Sequence, residues 1–311
     1  MTSDRLIVGV ETGGTTTVCA AAGVPFDASD IEPASMATIP TTSPTRTLQQ
    51  VAAFLDDLNG PVAAIGIGTF GPVVLDPRSE HFATIGETPK PGWAGTRLLD
   101  PIRRVTDAPV ALDTDVGAAA LAELRWGFSR AATGPALRDL TYVTVGTGVG
   151  VGAVVGGRLL HGTAHPEIGH LTVRRHPQDA FAGVCRLHGD CLEGLASGPA
   201  VAERWGQPGE ALEEHRREAV QMEGFYLAQL VAAITYLLSP SRIVLGGGVL
   251  GMPGLLDAVR TGTARLVGSA LGKHPLRDPH SGYLSAPTLG RHAGVVGALT
   301  MAADLLDPPP S

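Results

Sequence analysis

One pattern in this sequence occurs twice and limits the folds open to it. The apolar run Leu6–Val10 leads into Glu11-Thr-Gly-Gly-Thr-Thr16 and on into Thr17–Ala21. Later, Leu140–Val145 leads into Gly146-Thr-Gly-Val-Gly150 and on into Val151–Val155. Each copy reads as a strand, a glycine turn and a returning strand. The repetition points to two related β-rich halves.

Helical signals fall between the strands. Leu48–Leu58 carries apolar residues at helical spacing, and Val116–Phe128 is alanine-rich behind Asp115, a residue type suited to cap a helix. Ser197-Gly-Pro199 opens another helix with proline in its first turn. Residues 210–238 suffice for two helices or one bent one. Arg242–Leu245 is a buried strand ending at Gly246-Gly-Gly248, Gly294–Leu305 is a closing helix, and Asp307-Pro-Pro-Pro-Ser311 is a frayed tail. Alternating strands and helices predict α/β architecture.

With 311 residues, 44% of them hydrophobic, the chain can bury a sizeable core and divide into two domains. Its formal charge of -7 provides no broad basic surface for nucleic acid or an anionic membrane, which leaves a small molecule as the expected partner. The start of the chain lacks the features of a secretory leader, so a cytoplasmic location is expected. The longest apolar stretch, Leu227–Leu238, is too short to span a bilayer.

Residues 167–193 are unlike the rest. Glu167-Ile-Gly-His170 is followed by Cys185-Arg-Leu-His188-Gly-Asp-Cys191-Leu-Glu193, so two of three cysteines flank a histidine. Thiolates and imidazoles in fours are the ligands zinc prefers, and His170, Cys185, His188 and Cys191 make a Cys2His2 set. His161, His165 and His176 are spare candidates for the fourth ligand. Buried thiols beside surface histidines, or a Cys185–Cys191 disulfide in an oxidising compartment, are the competing readings. The three glycine turns, Gly13-Gly-Thr15, Gly146-Thr-Gly148 and Gly246-Gly-Gly248, can each turn backbone N–H groups toward an anion. Neither a dinucleotide fingerprint nor a P-loop is present.

The order of these parts resembles the ROK family of sugar kinases and repressors. The likeness covers almost the whole chain. It leans toward bacterial fructokinases through Gly68-Thr-Phe-Gly-Pro72, Pro89-Lys-Pro-Gly-Trp93, His165-Pro-Glu-Ile-Gly-His170 and Cys191-Leu-Glu-Gly-Leu-Ala-Ser-Gly-Pro199. The resemblance implies a two-domain, actin-like (ribonuclease H-like) sugar kinase fold with a cleft between domains. Here that means residues 1–112 with a returning helix at about 291–307, and a larger domain over 113–290 that carries the zinc loop.

The resemblance also implies roles. Asp115 is the catalytic base, with Asp113 the alternative. Thr114, Glu167, His170 and Glu193 bind the sugar. Glu11, Gly13, Gly14, Thr15, Thr16, Gly146, Thr147, Gly148, Gly246, Gly247 and Gly248 surround ATP, with Glu11 organising Mg2+ through water. Zn2+ is structural, and His170 serves both metal and sugar. The substrates implied are fructose, yielding fructose 6-phosphate, and ATP; homodimers are common in the family.

Two positions depart from the family pattern. Gly117 stands where asparagine is usual, and Thr16 where related fructokinases carry a lysine. A broader hexokinase acting on mannose or glucose, and a catalytically silent sugar-binding or regulatory protein, are the alternative readings. A family repressor would carry a helix-turn-helix ahead of the first glycine turn, and the ten residues before Glu11 leave no room for one.

Overall fold

A computed structural model describes residues 5–28, 35–128, 137–272, 274–278 and 281–308. The last residues of the expected frayed tail, and the first four of the chain, lie outside them. The fold is α/β, as expected, and is built on two five-stranded mixed sheets.

The first sheet holds β1 (Leu6–Thr12), β2 (Thr16–Gly23), β3 (Met36–Pro40), β4 (Val62–Thr69) and β5 (Val110–Thr114), in the order β3-β2-β1-β4-β5. β1 pairs antiparallel with β2 and parallel with β4, and β4 pairs parallel with β5. Both faces are apolar, as strands covered on two sides must be. Val8, Val10, Cys19 and Ala21 pack with Val51 and Leu55 of α1 (Pro44–Asp56) and Ile102 of α2 (Leu99–Ile102). On the other face, Ile7, Ala20 and Ala22 pack with Val295 and Leu299 of the last helix, α8 (Ala293–Leu306). Alternate residues of one strand thus serve two cores. β5 runs directly into α3 (Asp115–Ala122), which is followed by a π-helical turn over Glu123–Phe128.

The second sheet repeats this plan. β6 (Leu140–Val145), β7 (Val149–Val155), β8 (Arg158–Leu159), β9 (Arg242–Gly246) and β10 (Leu284–Ser285) lie in the order β10-β9-β6-β7-β8. β6 is antiparallel to β7 and parallel to β9, as β1 is to β2 and β4. The internal similarity of the two glycine-turn hairpins is therefore a similarity of whole sheets. Helices α4 (Leu192–Ala196), α5 (Gly198–Trp205), α6 (Arg216–Leu238) and α7 (Leu255–Val267) accompany this sheet. Leu227, Leu230, Val231 and Ile234 of α6 join Val143, Val145, Val149 and Val151 in one core. The segment read as two helices or one bent one is a short 3-10 turn followed by the single 23-residue helix α6.

The chain divides into two compact units. One takes Met1–Ala132, Leu159–His165 and Leu289–Ser311, the other Thr133–Arg158 and Pro166–Thr288. The first unit runs past the boundary expected at residue 112 because α3 packs along α8 and so stays with the first sheet. Among the described residues no helix is long and apolar enough to cross a membrane.

Candidate active site

In the first unit the carboxylates gather where β5 becomes α3. The cap of α3 is Thr114, not Asp115: the Thr114 hydroxyl accepts from the Gly117 N–H at 3.0 Å. This corrects the expectation that Asp115 caps the helix. Asp115 is instead the first residue of α3, with Oδ1 accepting from the Val116 N–H at 2.9 Å. The buried Thr114 hydroxyl donates in turn to Asp113 Oδ1 at 3.1 Å, and the Thr114 N–H donates to the same oxygen at 2.7 Å. Thr114, expected on the sugar, thus has its hydroxyl engaged in holding the strand–helix junction.

Asp113 is buried, and its other oxygen lies 2.7 Å from His161 Nε2. That contact holds the His161 imidazole above its ordinary pKa, against an opposing effect of burial. His161, a spare candidate for the metal, is therefore spoken for in the first unit. Gly117 has a structural reason: a Cβ there would lie 2.1 Å from Asp113 Oδ1. The departure from asparagine is what lets Asp113 fold over the start of α3.

Glu11, at the end of β1, meets the first turn of α8. Burial, and then the negative charge of Asp115, push its carboxyl up from 4.5 to about 7, while the Val295 N–H opposes them. One of its oxygens, Oε2, is buried with no hydrogen-bond partner. Beyond Glu11 the Gly13–Thr16 turn is closed by the Gly13 N–H donating to Thr16 O at 2.9 Å, and Thr15 O accepts from the Thr41 N–H at 2.9 Å. Gly14 and Thr15 are exposed. Lys90 Nζ donates to Gly14 O, and to Thr41 O at 3.4 Å, with the Phe70 ring centroid 5.9 Å away. Lys90 belongs to the Pro89–Trp93 motif, and only the fold brings it to the turn.

In the second unit the Gly146–Gly148 turn closes through the Gly146 N–H on Gly148 O at 2.9 Å. The Gly198 N–H at the start of α5 donates to Gly146 O at 2.7 Å. Glu193 Oε2 accepts from the Val149 N–H at 3.0 Å, which ties this expected sugar residue to the base of the turn. Gly169 lies against the same residue, since a Cβ there would meet Val149 O at 1.9 Å. Glu167 is exposed just before the 3-10 turn Ile168–His170. Gly246–Gly248 follows β9, with Gly247 at a φ of 93°.

His170, Cys185, His188 and Cys191 converge, their ligand atoms lying within 4.8 Å of one another. His170 Nδ1 is 3.7 Å from Cys185 Sγ and 3.5 Å from Cys191 Sγ, and His188 Nδ1 is 3.9 Å from Cys185 Sγ. Bonds of roughly 2.3 Å to sulfur and roughly 2.0 Å to nitrogen make the S–N edge of a tetrahedron about 3.5 Å, so the set fits a zinc ion. Backbone bonds exchanged between Cys185 and Gly189 form the knuckle, and the Leu192 N–H donating to Leu171 O brings Cys191 beside His170. The cysteines are free thiols, not a disulfide. Burial above all pushes the Cys191 thiol up to about 11, so a metal ion binding there must displace a proton. The other spare histidines are elsewhere: His165 Nε2 accepts from the Val73 N–H, and His176 packs edge-on against Phe225.

The ROK family model matches residues 7–305. A fructokinase of Zymomonas mobilis is 38% identical over 309 residues, which cover 97% of this chain and 98% of the relative. A ROK hexokinase of Thermus thermophilus superposes with a TM-score of 0.73 at 26% identity, covering 98% of this chain and all of that one. A ROK family glucokinase of Streptomyces griseus, solved in complex with glucose and AMPPNP, gives a TM-score of 0.71 at 26% identity over 96% of this chain and 99% of its own.

Proposed function

This chain belongs to the ROK family, and from that premise we propose that it transfers the terminal phosphoryl group of ATP to a hexose, with fructose as the acceptor and fructose 6-phosphate as the product. The observation that carries the reading is the full-length relationship at 38% identity to a fructokinase, against 26% to the glucose-bound relative. The fold is that of the family's actin-like kinases.

Asp115 is the base. Released from capping by Thr114, it stands at the first turn of α3 close enough to Glu11 to raise its pKa. Its carboxylate accepts the proton of the sugar O6 hydroxyl as that oxygen attacks the γ-phosphorus and ADP departs. Such transfer is largely dissociative, so positioning and charge stabilisation supply most of the rate. Asp113, engaged by His161 and Thr114, holds the junction. Glu167, His170 and Glu193 bind sugar hydroxyls. The Gly13–Thr16 and Gly146–Gly148 turns hold phosphate, and Gly246–Gly248 lies beside the adenosine.

Glu11 would help hold a Mg2+ ion bound with the nucleotide, and that ion would supply charge neutralisation at the phosphates. The orphaned, buried Glu11 oxygen beside a second carboxylate supports a cation there. His170, Cys185, His188 and Cys191 would hold zinc with four protein ligands and so give it a structural part.

A coupled assay of ADP release across fructose, mannose and glucose tests the reading. The highest kcat/KM is expected with fructose. Preference for another hexose would overturn the assignment of substrate, and no ADP release with any of them would leave a sugar-binding protein.

A further inference from the structure

Of the 23 lysine and arginine residues in the chain, only Lys90 and Lys273 are lysines. A chain that uses arginine almost everywhere keeps a compact ammonium at the first glycine turn. The Lys90 loop is firmly held. Trp93 is fully buried, its indole N–H donates to Thr42 O at 2.8 Å, and its ring meets Phe70 edge-on at 5.0 Å. The Trp93 N–H closes back on Lys90 O at 3.3 Å. Lys90 Nζ is thereby fixed on the carbonyls of Gly14 and Thr41, which take two of its three donors. Among the described residues no carboxylate pairs with it. A half-buried ammonium held against a ring and two carbonyls, with no carboxylate beside it among the described residues, makes a local field that an anion at the turn would complete. Burial lowers the Lys90 pKa, and a bound anion would favour the charged form again.

The same turn lacks a lysine at Thr16. Thr16 pairs across the sheet with Pro40, the neighbour of Thr41, whose carbonyl Lys90 reaches. We propose that Lys90 supplies the positive charge at the Gly13–Thr16 turn and binds the transferred phosphoryl group of the nucleotide. The proposal rests on the kinase reading above. It adds a phosphate ligand delivered from a loop 76 residues away in sequence.

The test uses Lys90→Met, which keeps the apolar stem over Phe70, together with Lys90→Arg and the double variant Lys90→Met with Thr16→Lys. Nucleotide binding is read by calorimetry with AMPPNP and Mg2+ without hexose, and turnover by the coupled assay. Loss of this charge is expected to lower kcat/KM for ATP on the order of 10²-fold, as removal of one charge-stabilising donor does. The KM for the hexose and the melting temperature should stay close to wild type, and Thr16→Lys should restore most of the loss.

Wild-type kcat/KM for ATP in Lys90→Met would overturn the proposal. So would a loss that falls equally on ATP and hexose with a lowered melting temperature, or a loss that neither Lys90→Arg nor Thr16→Lys relieves. If the wild type phosphorylates no hexose, the kinase reading fails by itself, while AMPPNP affinity still reports on Lys90.

Discussion

Replacing Glu11 by glutamine should make the protein more stable at neutral and alkaline pH, and the size of the gain follows from its surroundings. The Glu11 carboxyl titrates at about 7 instead of 4.5 because burial, and then Asp115, oppose its charge. Below pH 4.5 the folded and unfolded chains both carry the proton, and nothing is gained or lost. Between 4.5 and about 7 the folded chain keeps a proton that the unfolded chain has released, so stability falls as pH rises. At 1.36 kcal/mol for each decade, the accumulated cost is about 3 kcal/mol. Glu11→Gln keeps the shape without the charge and should recover up to about 3 kcal/mol near pH 8 and nothing at pH 4.5. Urea unfolding without nucleotide or metal, read by the fluorescence of Trp93 and Trp126 in a Trp205→Phe background, follows the unit that holds Glu11. Wild type and variant sharing one pH slope would refute the reasoning.

Asp115→Ala should lose on the order of 10²- to 10⁴-fold in turnover with its melting temperature kept, whereas Thr114→Ala should cost about 1 kcal/mol of stability through the lost cap; steady-state kinetics beside thermal unfolding separates the two, and near-normal turnover in Asp115→Ala would remove it as the base. Protein purified without added zinc should hold about one equivalent by elemental analysis. Cys191→Ser should release it, and retention should weaken as acidification protonates the thiolates and imidazoles; metal-free protein of unchanged stability would exclude the site. Gly117→Asn should cost roughly 1–3 kcal/mol by forcing Asp113 aside, and the His161 titration, followed by NMR, should return toward its ordinary range; an unchanged His161 would show that Asp113 had not moved.

Much of the fold could be read from residues because glycines punctuate β-branched runs so plainly. The two hairpins are legible for that reason, and their repetition pointed to two related β-rich halves, which the structure extends to a repeated sheet order. The Cys2His2 cluster is legible because its four residues fall within 22 positions and few other chemistries use such a grouping. What could not be read depends on partners far apart in sequence. Thr114 and Asp115 are both good caps, and propensity does not choose between neighbours. Asp113 chooses, by gripping Thr114 while Gly117 leaves it room. Nothing local tells that His161 meets Asp113 or that Lys90 meets Gly14, since each contact needs the sheet and its loops assembled first.

His170 turns Nδ1, not Nε2, toward the two sulfurs. With a metal on Nδ1, a neutral ring must carry its one proton on Nε2, so the outward edge of the imidazole is a donor and cannot accept. In the proposed sugar site, a hydroxyl meeting it would have to present its oxygen lone pair, which would leave its own hydrogen for a carboxylate such as Glu167 or Glu193. If the proposed zinc and sugar roles both hold, the metal would set the direction in which hydrogen bonds run through the sugar, and losing it would free the ring to adopt the opposite tautomer.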